Sequence, residues 1–169
     1  RRVALEDFIG RQFALAINRF VKGSRGTGHS GEVRIDHGRQ EILPRTSCIL
    51  TQDYVEARFD VGLPAAGRTC LGREAEALLL GEIPQVVAAA LFYASLDAQA
   101  VQMHVETAED QEALRAQLAE RGLVAFVGDG SILPRRSGVS DKPLTGADVV
   151  PFASPPELRT TLKAPNRGP

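Results

Sequence analysis

Between Val3 and Val21 apolar side chains return every fourth residue, at Leu5, Ile9, Phe13, Ile17 and Val21, with Phe8, Ala16 and Phe20 beside them. That period gathers them on one face and predicts an amphipathic helix over residues 3–21, stopped by Gly23. The period then changes to two. "GEVRID" alternates, with Val33 and Ile35 on one side and Glu32, Arg34 and Asp36 on the other. "TSCIL" follows a turn at "HGRQ", and "YVEARFDVGL" sets Val55, Ala57, Phe59 and Val61 against Glu56, Arg58 and Asp60. Three antiparallel strands are expected from these runs.

"GLPAAGRTCLG" reads as a loop, and "REAEALLLGEIPQVVAAALFYASL" as two helices broken near Gly81 to Pro84, because proline removes a donor and crowds the preceding turn. A short helix is expected over Asp97 to His104. Thr107, with Asp110 as its reciprocal acid, is expected to cap a further helix that carries Leu114 and Leu118 and ends at Gly122. "LVAFV" is apolar throughout and predicts a short buried strand. From Gly128 the text is rich in Gly, Pro, Ser and Asp, a long late loop, before "LRTTLKA" alternates as a terminal strand. The expected class is α+β: an antiparallel sheet packed against several helices, in a single domain.

Length and composition agree with this reading. The 169 residues suit one packed core, and 43% apolar residues with a formal charge of -1 describe an ordinary soluble chain. No run approaches the roughly 18 apolar residues that cross a bilayer. No membrane partner and a cytoplasmic location are expected. Cys48 and Cys70 form no C-x-x-C pair, so both are expected to pack as small hydrophobes in a reducing setting. The opening on Arg1-Arg2 and the ending on "APNRGP" give the expectation of a fragment of a longer chain.

Charge is unevenly spread. Up to Arg73 there are 12 Lys/Arg against 8 Asp/Glu; Glu74 to Gly128 has 2 against 9; the remainder has 6 against 4. Two basic flanks around an acidic middle suit contact with a polyanion, though a solvated surface is the commoner cause of such asymmetry.

Residues Gly23 to Ser30 read G-x-x-x-x-G-H-S, one residue from the phosphate loop G-x-x-x-x-G-K-[ST]. A working phosphate loop follows a strand and opens a helix, so that backbone N–H groups and the helix dipole converge on phosphate. Here a helix precedes the loop, a strand follows it, and His29 stands where lysine is needed. No catalytic nucleotide site is expected there. Lys22, Arg25 and His29 could still touch nucleic-acid phosphates from a flexible link. The second candidate is "GDGSILPRRSGVSDKP", where Arg135, Arg136 and Lys142 lie among small residues. Its donors suit an anionic group.

His29, His37 and His104 show no zinc-ligand spacing, so no metal site is expected. Glu109, Asp110 and Glu112 suit the first turn of a helix, and no G-x-S-x-G elbow is present. No catalytic residue is assigned.

Four stretches carry a resemblance: "RRVALEDFIGRQF", "GEVRID" with "RTSCILTQDYVEARFDVGLPAAGRTCLGREAE", "GLVAFVGDGSILPRRSGVSDKPL" and "VPFASPPELRTTLKAPNRG". Together they cover nearly the whole chain, which resembles the predicted ATPases of the ABC class. The resemblance implies an accessory domain over residues 1–150 and a terminal strand or linker over 151–169 leading toward an ATPase core outside this sequence. It implies ATP and Mg as cofactors of the full protein, none held by this fragment alone. It also implies RNA or another nucleic acid as partner and a homo-oligomeric full protein. The phosphate-facing residues would be Lys22, Arg25, His29, Arg135, Arg136 and Lys142. The alternative is a structural or dimerisation module, with Ser137, Gly138, Ser140 and Asp141 touching nucleotide or a partner subunit and "QVVAAALFYASL" as packing surface. The family carries a G-K-S-G-like text where this chain has Gly28-His29-Ser30-Gly31, so the phosphate-contacting lysine is missing.

Overall fold

The four-residue repeat at the start of the chain folds as expected. In the computed structural model, which describes residues 1–166, helix α1 runs Arg2–Phe20 and buries Ala4, Phe8, Ile9, Phe13, Ala16 and Ile17. It ends because Val21 turns extended, at φ -92° and ψ 126°, and Gly23 takes φ +87°. The chain is α+β, and its residues group into two compact units, Arg1–Glu106 and Thr107–Pro169.

In the first unit the three expected strands form, but the third is divided between two partners. Strand β1 is Val33–Arg34, β2 Cys48–Leu50, β3 Val55–Ala57 and β4 Asp60–Val61. β2 pairs antiparallel with β3, Cys48 opposite Ala57, and β1 pairs antiparallel with β4, Val33 opposite Val61. Between them the Arg58 N–H donates to the Ser47 carbonyl at 2.8 Å. One extended segment therefore serves two ribbons. Val33 and Ile35 are buried, and Ala57, Phe59 and Val61 pack against the same core, as the alternation predicts. The Phe59 ring lies 4.9 Å from that of Phe13.

The stretch expected as a plain loop holds a third ribbon. β5 (Ala65–Ala66) pairs with β6 (Thr69–Cys70) across Gly67-Arg68. Gly67 has φ +57° while Arg68 does not have positive φ, as a type II′ turn requires.

The expected break before Pro84 is absent as well. Helix α2 (Gly72–Glu76) passes through a π-helical turn, Ala77–Glu82, into α3 (Ile83–Leu91). The Ile83 N–H donates five residues back, to the Leu78 carbonyl. A widened turn spares the carbonyl four residues before Pro84 the clash that an α-turn would impose, so the helix continues. Leu78, Val86 and Ala90 join Phe13, Ala16, Ile17, Val33 and Ile35 in one core between α1, α3 and β1. Each large side chain fully buried there contributes about 1.5–3 kcal/mol.

The two helices expected over Asp97 to Gly122 are one. Helix α4 runs Ala98–Glu120, opened by Asp97, whose carboxylate accepts from the N–H groups of Gln99 and Ala100 at 2.9 and 3.1 Å. Thr107 is no cap because the turns before it already supply carbonyls to its neighbours. The end is as predicted. Gly122 takes φ +66°, its N–H reaches the Ala119 carbonyl at 3.1 Å, and the Leu123 N–H reaches that of Leu118 at 2.8 Å, which is a Schellman closure.

"LVAFV" forms no strand: Leu123 to Val127 find no ladder partner among the described residues, and Val124 is fully exposed. The long late loop contains a ribbon instead, β7 (Arg135–Ser137) against β8 (Ser140–Pro143), extended by a 2.8 Å bond from the Leu144 N–H to the Pro134 carbonyl.

"LRTTLKA" is not a strand either. After a single 3-10 turn at Pro156–Leu158, the segment is held by side chains of α4. The Gln117 amide exchanges two bonds with the Lys163 backbone, at 2.7 and 3.1 Å, as a neighbouring strand would. Arg121 donates to the Thr161 carbonyl at 3.0 Å, and the Asn166 N–H donates to Asp110 at 2.9 Å. Side chains satisfy this backbone where a strand would otherwise be needed. The last three residues of the expected 151–169 linker lie outside the described residues.

Candidate functional site

The glycine-rich corner after α1 is closed on itself. The Arg25 N–H donates to the Ser30 carbonyl at 2.7 Å, the Ser30 N–H to Thr27 at 3.3 Å, and the Ser30 hydroxyl to the same Thr27 carbonyl at 2.6 Å. The Thr27 N–H donates to Ala65 at 3.0 Å, its hydroxyl accepts from the Gly67 N–H at 3.0 Å, and the Gly31 N–H donates to Gly62 at 2.7 Å. The amides of Arg25, Thr27, Ser30 and Gly31 are thus bonded to the protein's own oxygens rather than aimed outward as in a phosphate loop. Glycine is required here by contact. At Gly26, φ +122°, a Cβ would stand 1.9 Å from the Ala65 oxygen; at Gly62 it would stand 2.1 Å from that of His29. The loop is a docked corner, and the expected mobile link is corrected accordingly.

Arg25 belongs to this corner's interior. It is buried, with its guanidinium paired to the buried Glu82 carboxylate, donating to the Glu74 carbonyl at 3.2 Å, and 3.5 Å from the Glu74 carboxylate. The second Glu82 oxygen accepts from the Lys22 N–H at 3.3 Å. Glu82 is the last residue of the π-turn, so the widening that accommodates Pro84 also sets the partner of Arg25 in place. Of the three residues expected to face phosphate here, only Lys22 and His29 are exposed. His29 Nδ1 lies 3.0 Å from Glu32 and 2.6 Å from Arg34 Nη2, so its charge environment is mixed.

The late candidates lie together on one short ribbon. Arg135, Arg136, Ser137, Gly138, Asp141 and Lys142 are all exposed, Ser140 is half-buried, and Val139 at the turn is fully exposed. Ser137 stands opposite Ser140 and Arg135 opposite Pro143. One residue of β7 therefore faces two of β8, so Arg136 opposes the bulge Asp141-Lys142. At the base of the ribbon the Gly130 N–H donates to Phe152, and the Phe152 N–H to Ser131, both at 2.8 Å. Asp129 accepts from the Ser154 N–H at 2.7 Å and pairs with Arg159 at 3.1 Å.

A third polar cluster was not foreseen. Asp7 lies on the buried face of α1, 2.6 Å from Arg11 Nε and 3.1 Å from His104 Nε2, with the His104 ring edge-on to Phe8. Arg11 also donates to the Arg39 and Glu41 carbonyls. The i, i+4 spacing of Asp7 and Arg11 signalled part of it; His104, 97 residues away, gave no signal. The two cysteines differ. Cys48 is buried, and burial, with a smaller contribution from Glu6, raises its pKa to about 11. Cys70 is exposed on β6, which corrects the expectation of core packing for it.

Among the described residues no group of His, Cys, Asp and Glu could hold a metal ion, and no helix is long and apolar enough to cross a membrane. Nor do the residues present fit Mg-ATP. The text G-x-x-x-x-G-K-[ST] occurs nowhere in the 169 residues, and the loop that approaches it carries His29 in place of the lysine and has its Arg25, Thr27 and Ser30 amides bonded within the protein.

Residues 1–94 match the family described as the N-terminal part of ATPases of the ABC class, and residues 97–169 match its P-loop domain. No curated protein matches the chain. The first match alone spans more than half of the sequence, and the chain belongs to the family of ATPases of the ABC class.

Proposed function

We propose that these residues form a non-catalytic accessory module of an ABC-class ATPase, one that contributes RNA contacts to a protein whose triphosphate is bound and hydrolysed by residues outside this sequence. The observation that carries the reading is the β7–β8 ribbon, on which Arg135, Arg136 and Lys142 are all exposed. Lys22 is a further exposed cation and His29 a further exposed polar group; Arg25 is not used, since its guanidinium is engaged with Glu82. Exposed cations on a phosphate backbone gain free energy by releasing condensed counterions, which gives affinity without sequence preference. Within this reading ATP and Mg act in the full protein, and motor closure would reposition the ribbon.

Charge reversal of both ribbon arginines, Arg135→Glu with Arg136→Glu, is expected to weaken RNA binding about tenfold or more at low salt. It should also flatten the slope of log affinity against log salt by about two. A filter-binding titration reads both quantities, and an unchanged slope contradicts the proposal.

The exposure of Leu80, Phe92 and Tyr93 favours a second reading, a bracing or dimerisation module in a homo-oligomer. There Ser137, Gly138, Ser140 and Asp141 would meet nucleotide or the partner subunit. The same double reversal in the intact ATPase would then lower ATP turnover and spare RNA affinity.

A further inference from the structure

We infer that the β7–β8 ribbon is built for double-stranded RNA, lying in the wide minor groove with one cation toward each phosphate row; this rests on the nucleic-acid reading above. Successive residues of a strand point to opposite faces, so Arg135 and Arg136 reach in opposite directions. Both are exposed, which means that neither face of the ribbon is covered. The bulge of β8 sets Asp141 and Lys142 together opposite Arg136, so two cations and one carboxylate share that stretch, while Arg135 supplies the other face. A ribbon with cations on both faces matches a partner with phosphate on both sides. A single strand offers one row and would leave one face idle.

The other chemistry of the ribbon agrees. Recognition of single strands relies on aromatic platforms for unstacked bases. The ribbon has none; the only aromatic residues after Glu106 are Phe126 and Phe152. The turn carries instead the paired hydroxyl residues Ser137 and Ser140, directly opposed in register. Hydroxyl groups can exchange hydrogen bonds with the 2′-hydroxyls that line the A-form minor groove, which duplex DNA lacks. The A-form major groove is too narrow and deep to admit the ribbon.

The test uses the 169-residue chain with a labelled RNA duplex of about 20 base pairs, each of its separate strands, and the DNA duplex of the same sequence. The expected result is duplex RNA bound about tenfold tighter than either strand, with Arg135→Glu and Arg136→Glu each reducing the salt slope by about one. Ser137→Ala should narrow the preference for RNA over DNA. Circular dichroism of each variant checks that it is folded. Separate strands bound as tightly as the duplex, with the same arginine dependence, overturn the duplex inference and leave the RNA reading standing. Duplex binding indifferent to both arginines overturns the role of the ribbon. Absence of binding to any of the nucleic acids overturns both readings.

Discussion

Arg25→Ala is expected to destabilise the chain by about 3–5 kcal/mol, because it strands the Glu82 carboxylate in the interior without its cation. The pair is well enclosed, with the Arg25 and Glu82 side chains 6% and 10% exposed. Arg25 also supplies a donor to the Glu74 carbonyl, and Glu82 holds the Lys22 amide, so the link joins the corner after α1 to α2 and to the π-turn. The double replacement Arg25→Met with Glu82→Met removes both charges and should cost far less than the single change, since two apolar groups of similar length need no partner. Urea unfolding of the three proteins measures the difference. A cost under about 1 kcal/mol for Arg25→Ala would show the pair to behave as a solvated surface bridge.

Gly26→Ala should act nearly as strongly and for a different reason. The added Cβ would lie 1.9 Å from the Ala65 oxygen and 2.8 Å from the Ala65 carbon, both backbone atoms with no rotamer to adopt. The backbone at φ +122° is itself unfavourable for any residue with a side chain. Relief requires the corner to leave β5, which breaks the Gly26–Ala65 bridge and the bond from the Thr27 N–H. A loss of about 3 kcal/mol or more is expected, with earlier hydrogen exchange at the amides of Thr27 and Gly67. Gly28, where an added Cβ would meet nothing within 4 Å, is the control. Since φ there is +63°, Gly28→Ala retains the left-handed strain of about 1–2 kcal/mol and no clash. Equal effects at the two positions would contradict the docked corner.

What the sequence disclosed was local. The period of α1 was plain because Phe13, Ala16 and Ile17 face one core, and the alternation from Ala57 to Val61 survived although two partners share that segment. Gly122 was identified as a helix end because its positive φ is a property of a single residue. The failures lie where a distant partner decides. Pro84 argued for a break, and a π-turn absorbed it. Thr107 had the form of a cap, but Asp97 had already opened the helix. "LVAFV" has strand composition, yet a strand exists only where a neighbour accepts its hydrogen bonds, and none does among the described residues. Arg25 looked the same as Lys22 in the text, and Glu82, 57 residues later, separated them. By contrast the grouping of Arg135, Arg136 and Lys142 was legible because they lie within eight residues of one another, and all three are exposed.

Titration calorimetry of Mg-ATP into the 169-residue chain, beside its Ser30→Ala and His29→Ala variants, tests most directly whether the glycine-rich corner is docked architecture rather than a nucleotide site. The account predicts no saturable heat for any of the three proteins. Saturable binding by the wild-type chain that either substitution abolishes would contradict it.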